Sequence, residues 1–174
     1  MASRSSKKRL GKVTGAQYSL LKELTDESTL NAATLETALA EIVRDRFDMA
    51  RGLRMAAKIL VETENSLIRR SAVSRAYYGA YQAARATLLS VAHRDEDDHD
   101  RLANEIDLLK GLQGSGAKLK ELRTRRNEFD YSPYPGPDER RVFDVSEIET
   151  IIQESVETAE TLVRAFEQHL KERR

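Results

Sequence analysis

The stretch SAVSRAYYGAYQAARATLLSVA, residues 71–92, decides the fold. It is helix-compatible from end to end, and three of the chain's six tyrosines, Tyr77, Tyr78 and Tyr81, fall inside it. At about 3.6 residues per turn, Val73, Tyr77, Ala80, Tyr81, Ala84, Leu88 and Val91 share one stripe, which predicts a core-facing side. A quarter turn away runs a polar row of Ser74, Arg75, Tyr78, Gln82 and Arg85. One aromatic in an otherwise polar row marks a surface where function can begin.

Upstream, Leu35, Leu39, Ile42, Met49, Leu53, Ala56 and Leu60 form a heptad-like series, interrupted by Arg46 where an apolar residue is expected. Either one long helix reaches residue 61 or 62, or Arg46 marks a break near residue 45. Asn65 or Ser66 can cap the tyrosine helix, which ends near His93. Before this, residues 13–46 read as a helical extension, with a short helix through Tyr18, Leu20, Leu21 and Leu24 and a polar stretch at 25–31. Residues 1–12 carry Arg4, Lys7, Lys8, Arg9 and Lys12 with almost nothing apolar, the composition of a disordered basic arm.

Downstream, RDEDDHD at residues 94–100 has alternating carboxylates and a histidine. It lacks the glycine and the distal glutamate of a calcium loop, so it reads as an inter-helix loop with Asp98 as a cap. A third helix is expected over residues 100–112. GLQGSGAK, residues 111–118, misses the phosphate-loop spacing and follows a helix where a strand is needed, so its glycines end one helix and open the next. The fourth helix, residues 117–129, is the most basic of the chain, with Lys118, Lys120, Arg123, Arg125 and Arg126. All three prolines follow it at Pro133, Pro135 and Pro137. The last helix is expected to open at Ser146 with Glu149 completing a capping box, and to carry Ile148, Ile152, Ala159, Leu162, Phe166 and Leu170 on one face. His169 near its end is expected to face solvent.

The whole reads as all-α: an antiparallel helical bundle of four to five main helices over residues 47–174, with a helical N-terminal extension. The composition agrees, with 33% charged and 40% hydrophobic residues and no tryptophan. Without cysteine, neither disulfides nor thiolate metal sites are available, which fits a reducing, cytoplasmic setting. Arginines at 69, 70, 75 and 85 interrupt the best candidate membrane span. A formal net charge of zero leaves any nucleic-acid binding to local patches.

Two segments taken together, SRAYYGAYQAARATLL (residues 74–89) and LRTRRNEFDY (residues 122–131), resemble the HEPN domains. The likeness covers roughly residues 47–170. It implies a helical bundle that forms a homodimer, in a family where many members are metal-independent ribonucleases. Some are toxins paired with a small nucleotidyltransferase antitoxin. Their signature is an arginine, a polar residue, and then a histidine after four to six intervening positions. Here Arg126 and Asn127 match the first two, and Tyr131 stands where the histidine would be.

That departure bears on chemistry. A histidine near pKa 6.5 serves as acid and base at neutral pH, whereas a tyrosine near 10 is only about one part in a thousand ionised there. By the resemblance, Arg126 would clamp a scissile RNA phosphate, Asn127 would orient substrate or partner, and Tyr131 would donate a hydrogen bond or proton. Arg75, Tyr78, Arg85, Arg123 and Arg125 would line the RNA or nucleotide groove. Alternatively, Tyr78 and its neighbours form the dimer contact. Tyr131 and Tyr134 are candidate positions for nucleotide addition by a partner enzyme. No metal or cofactor is expected. The residues alone allow a plainer reading, in which Arg126 pairs with Glu128, Asp130 or another acid and Tyr131 plugs the bundle end. A non-catalytic module binding nucleotide, RNA or a nucleotidyltransferase is the alternative function.

Overall fold

Asn65 opens the helix around which the others pack: its side chain accepts the backbone N–H groups of Leu67 and Ile68, two of the otherwise unpaired donors of the first turn. In the computed structural model, which describes Tyr18, Lys22 and residues 32–137 and 142–173, the elements are α1 (Ala32–Val61), α2 (Ser66–Ala92), α3 (His99–Leu108), α4 (Ser115–Tyr131) and α5 (Val145–Lys171). The described residues are all-α, without a strand. The basic arm at residues 1–12, the polar stretch at 25–31, and Leu20, Leu21 and Leu24 of the expected short helix lie outside them.

The ion pairs give the directions. Arg51 meets Glu167 at 2.7 Å and Lys58 meets Glu160 at 2.8 Å, so α1 and α5 run antiparallel. Arg69 meets Glu149 at 2.6 Å, both early in their helices, so α2 and α5 run the same way. Tyr78 and Arg70 of α2 reach Arg126 and then Phe129 of α4 respectively, an antiparallel order. All four of the other helices pack on α2.

The expected stripe of α2 is buried through Leu88, with Tyr77 2% and Tyr81 6% exposed, while Val91 is half-buried. The burial extends further round than one stripe. Ala72, Ala76, Gly79, Ala83 and Ala86 are enclosed as well, because small residues let a central helix approach several neighbours. A Cβ built on Gly79 would lie 3.2 Å from the Ala50 carbonyl of α1.

Helix α1 is unbroken across residue 46, and its 30 residues span roughly 45 Å. Its buried face after Arg46 is Phe47, Ala50 and Ala57 rather than the heptad series, and Met49 is 54% exposed. Ala50 and Ala57 each lie one residue after a member of that series, an offset of about 100° round the helix. Toward its start, Leu39 and Ile42 join Tyr18 and Leu89 in a small cluster, where Tyr18 stacks on His93 at 4.1 Å.

Three helix ends differ from expectation. Helix α3 stops at Leu108, although Leu112 beyond it is still buried. The capping box of α5 is Asp144 with Glu147, two residues earlier than Ser146 with Glu149; Glu149 is instead held by Arg69. His169 is 9% exposed, packed beside Gly111, and not solvent-facing. The GSG segment makes a close helix crossing: a Cβ on Gly116 would sit 2.0 Å from the Ala103 carbonyl, and Asp107 accepts the Gly116 N–H at 2.7 Å. A carboxylate thus already occupies the start of α4, where a phosphate would otherwise be welcome.

Candidate functional site

Arg126 lies on the face of α4 that meets the polar row of α2. Its Nη2 donates to the Tyr78 hydroxyl at 2.7 Å and its Nη1 to Asn127 Oδ1 at 2.8 Å. Nε stands 3.1 Å from Asp130 Oδ2, near enough for an ion pair but out of line for an N–H···O bond, so that proton has no aligned acceptor. The guanidinium carbon is 5.2 Å from the Tyr78 ring centroid and 4.9 Å from that of Tyr131. Two aromatic faces and one carboxylate therefore fix the orientation of a cation that is 17% exposed. Each cation–π contact contributes about 0.5–1 kcal/mol at such partly open positions.

The turn that carries Asp130 and Tyr131 is held from α2. Arg70 donates to the carbonyls of Phe129 (2.8 Å), Ser132 and Pro133 (3.3 Å), closing the C-terminus of α4 with a cation where the helix dipole favours one. Beside it opens a groove of about 390 Å³ lined by Leu67, Arg70, Ser71, Asp130, Tyr131 and Pro133 among others. Tyr131 is 71% exposed and Tyr134 74% exposed, so neither plugs the bundle.

The other expected site residues separate into two groups. Arg75 is exposed on the α2 rim one turn before Tyr78, with no ion pair or hydrogen bond among the described residues. Arg123 is on the same side of α4 as Arg126 and pairs with Asp100 at 2.7 Å. Arg125 instead turns to α5, where it meets Glu154 at 3.1 Å and the Ser155 hydroxyl at 3.4 Å, besides Glu121 at 2.7 Å. Arg85 is also committed elsewhere. It makes a two-pronged contact with Asp95 at 2.9 and 2.6 Å, and Arg46 grips the same carboxylate at 2.8 and 2.6 Å. Burial would push the Asp95 carboxyl up, but the hydrogen bonds from Arg46 and Arg85 outweigh it and hold it below the usual range.

His99 enters the sequence reading only as part of the acidic run rejected as a calcium loop, with no site role of its own. The acidic loop brings it back against α2, with Nδ1 hydrogen-bonded to the Tyr77 hydroxyl and its ring 4.5 Å from Tyr81. Burial, then Arg123 and Arg126, hold its pKa below the ordinary histidine value. The only signal in the chain is its place just after the cap Asp98, which has no periodicity to reveal it. Arg70 was equally unmarked.

Comparison with protein-family models, with curated proteins and with solved structures finds no match. The HEPN likeness therefore rests on the two quoted sequence segments alone.

Proposed function

We propose that the chain is a HEPN-type RNA-directed protein, a ribonuclease-type toxin or a descendant of one, working in the cytoplasm as a homodimer with an Arg126-centred cleft. One observation carries this reading: the Arg126 guanidinium packs against the Tyr78 and Tyr131 rings, and Tyr131 with Asp130 lines an open groove. A planar cation fixed this way suits a phosphodiester oxygen pair, and the flanking rings offer faces on which unstacked RNA bases can lie. RNA brings its own nucleophile in the 2′-hydroxyl, so holding the phosphate and moving protons is the protein's share.

Incubating the purified protein with structured and unstructured RNA in EDTA tests this. Cleavage that disappears with Arg126→Ala is expected. An intact RNA pool, or cleavage indifferent to Arg126, sinks the enzymatic form.

A non-catalytic reading is favoured by a different observation, the engagement of Arg126 by Tyr78, Asn127 and Asp130 together with a tyrosine at the motif's histidine position. In that form the dimer binds RNA, a nucleotide or a nucleotidyltransferase partner without turnover. The exposed Tyr131 and Tyr134 are then the positions open to nucleotide addition, read by a mass increase after incubation with such a partner.

A further inference from the structure

His99 joins the Arg126 cluster through an unbroken series of side-chain contacts. The Tyr77 hydroxyl pairs with His99 Nδ1, the Tyr77 and Tyr78 rings lie 5.2 Å apart, and the Tyr78 hydroxyl accepts from Arg126. The direction of the first bond depends on the imidazole tautomer, and we assign the phenol as donor. Burial raises the Tyr77 pKa, so the phenol keeps its proton, and among the described residues its hydroxyl is paired with His99 Nδ1. Tyr81, the other tyrosine against the imidazole, donates to the Asp97 carbonyl at 2.8 Å. An imidazole accepting at Nδ1 carries its own proton at Nε2. Nε2 is neither enclosed nor hydrogen-bonded among the described residues.

The charges around it come from two elements. Arg123 and Arg126 of α4 disfavour a second proton, and Asp98 and Asp100 beside it favour one. Arg123 is itself paired with Asp100 at 2.7 Å. The histidine thus keeps Nε2 open, with Arg123 and Arg126 near enough to hold its pKa down and Arg123 tied to the adjacent Asp100.

We propose that His99 completes an anion site with Arg123 and Arg126, donating Nε2–H to a phosphate oxygen and taking up one proton from solvent as the phosphate binds. This rests on the reading of the Arg126 cleft as phosphate-binding, and it adds a proton to that binding. The phosphate supplies the negative charge that stabilises imidazolium, and Nδ1–H then donates to the Tyr77 oxygen in a reversal of the resting bond. The ligand class is a phosphate ester, borne by a mononucleotide or by RNA.

The test is a pH titration of the three histidines by NMR in the full, unaltered chain. It is run alone, with inorganic phosphate, with uridine 3′-monophosphate, and with a 2′-O-methyl oligonucleotide that cannot be cleaved. His99 resonances are assigned with His99→Gln, or by elimination with His93→Gln and His169→Gln if the first variant does not fold. The expected result is a His99 midpoint raised by about one unit or more in the presence of ligand, with His93 and His169 unmoved. A response to phosphate or the mononucleotide but not to the oligonucleotide supports the site and removes RNA as its ligand. Arg126-dependent oligonucleotide binding with an unmoved His99 overturns the proposal while leaving the cleft reading in place. No response and no binding with any of the three overturns both.

Discussion

Two arginine clusters flank the tyrosines of α2, and they are built in opposite ways. Around Asp95, Arg46 and Arg85 each bring a two-pronged guanidinium to one carboxylate that is 5% exposed, and all four contacts lie between 2.6 and 2.9 Å. Around Arg126, the partners are two aromatic rings, a tyrosine hydroxyl, an amide and an acid that stands out of line, and of these Tyr131 and Asp130 line a groove. The first cluster has its carboxylate saturated and clips α1, α2 and the acidic loop together. The second orients its cation with weak, replaceable partners. Saturated charge belongs to the fold, and oriented but undersupplied charge is what a ligand can use.

The largest effect should come from breaking the saturated cluster. Asp95→Ala removes the carboxylate that two guanidiniums, 14% and 17% exposed, each grip with two prongs. A loss of about 3 kcal/mol is expected, since removing one partner of a largely buried ion cluster is strongly destabilising. Urea denaturation measures it, and a loss below about 1 kcal/mol would show that the clip is more solvated than its geometry indicates. Arg126→Ala should do the reverse: a change in stability of about 1 kcal/mol or less, with a fall in RNA binding of roughly tenfold or more. Parallel melts and filter-binding assays separate the two.

This difference also marks what could be read from the chain. Helix order and the inward tyrosines were legible because 3.6-residue periodicity and caps are local. Arg46 looked misplaced in its series because its partner, Asp95, is 49 residues away. For the same reason Arg85 could not be told from Arg75 on the α2 polar row, although one is locked and the other exposed. The heptad frame of α1 misses Phe47, Ala50 and Ala57, whose burial is set by packing on α2 and α5. His99 and Arg70 owe their importance to tertiary placement, and no local pattern encodes that.

Acid should distinguish the clusters next. His93, His99 and His169 all have pKa values lowered first by burial, then by Lys22, by Arg123 and by Arg173 respectively. The folded state therefore binds fewer protons than the unfolded one below about pH 6.5, so stability is retained above that value and falls as pH drops through it. Asp95 has the opposite ionisation but the same trend: its depressed pKa keeps the clip intact above the usual carboxylate range and loses it only when pH falls through the folded value. Two separate losses are expected in a stability-versus-pH curve, a histidine step below about 6.5 and an aspartate step below the usual carboxylate range. His169→Gln should shrink the first and leave the second. A single step would mean that the histidines are not held neutral.

The smallest predicted effect divides the Arg126 cluster itself into ring and hydroxyl. Tyr78→Phe keeps the aromatic face 5.2 Å from the guanidinium carbon but removes the oxygen that accepts from Nη2 at 2.7 Å. If orientation by that hydrogen bond matters to a ligand, RNA affinity should fall by about 1 kcal/mol, roughly fivefold in Kd, with little change in melting temperature. If instead the hydroxyl competes with phosphate for Nη2, affinity should rise by a similar factor, because the freed N–H has only water to lose. Tyr78→Ala must weaken binding in either case, since it also removes the face that holds the cation in place. The sign for Tyr78→Phe thus decides whether the second cluster is preorganised for its ligand or held closed against it.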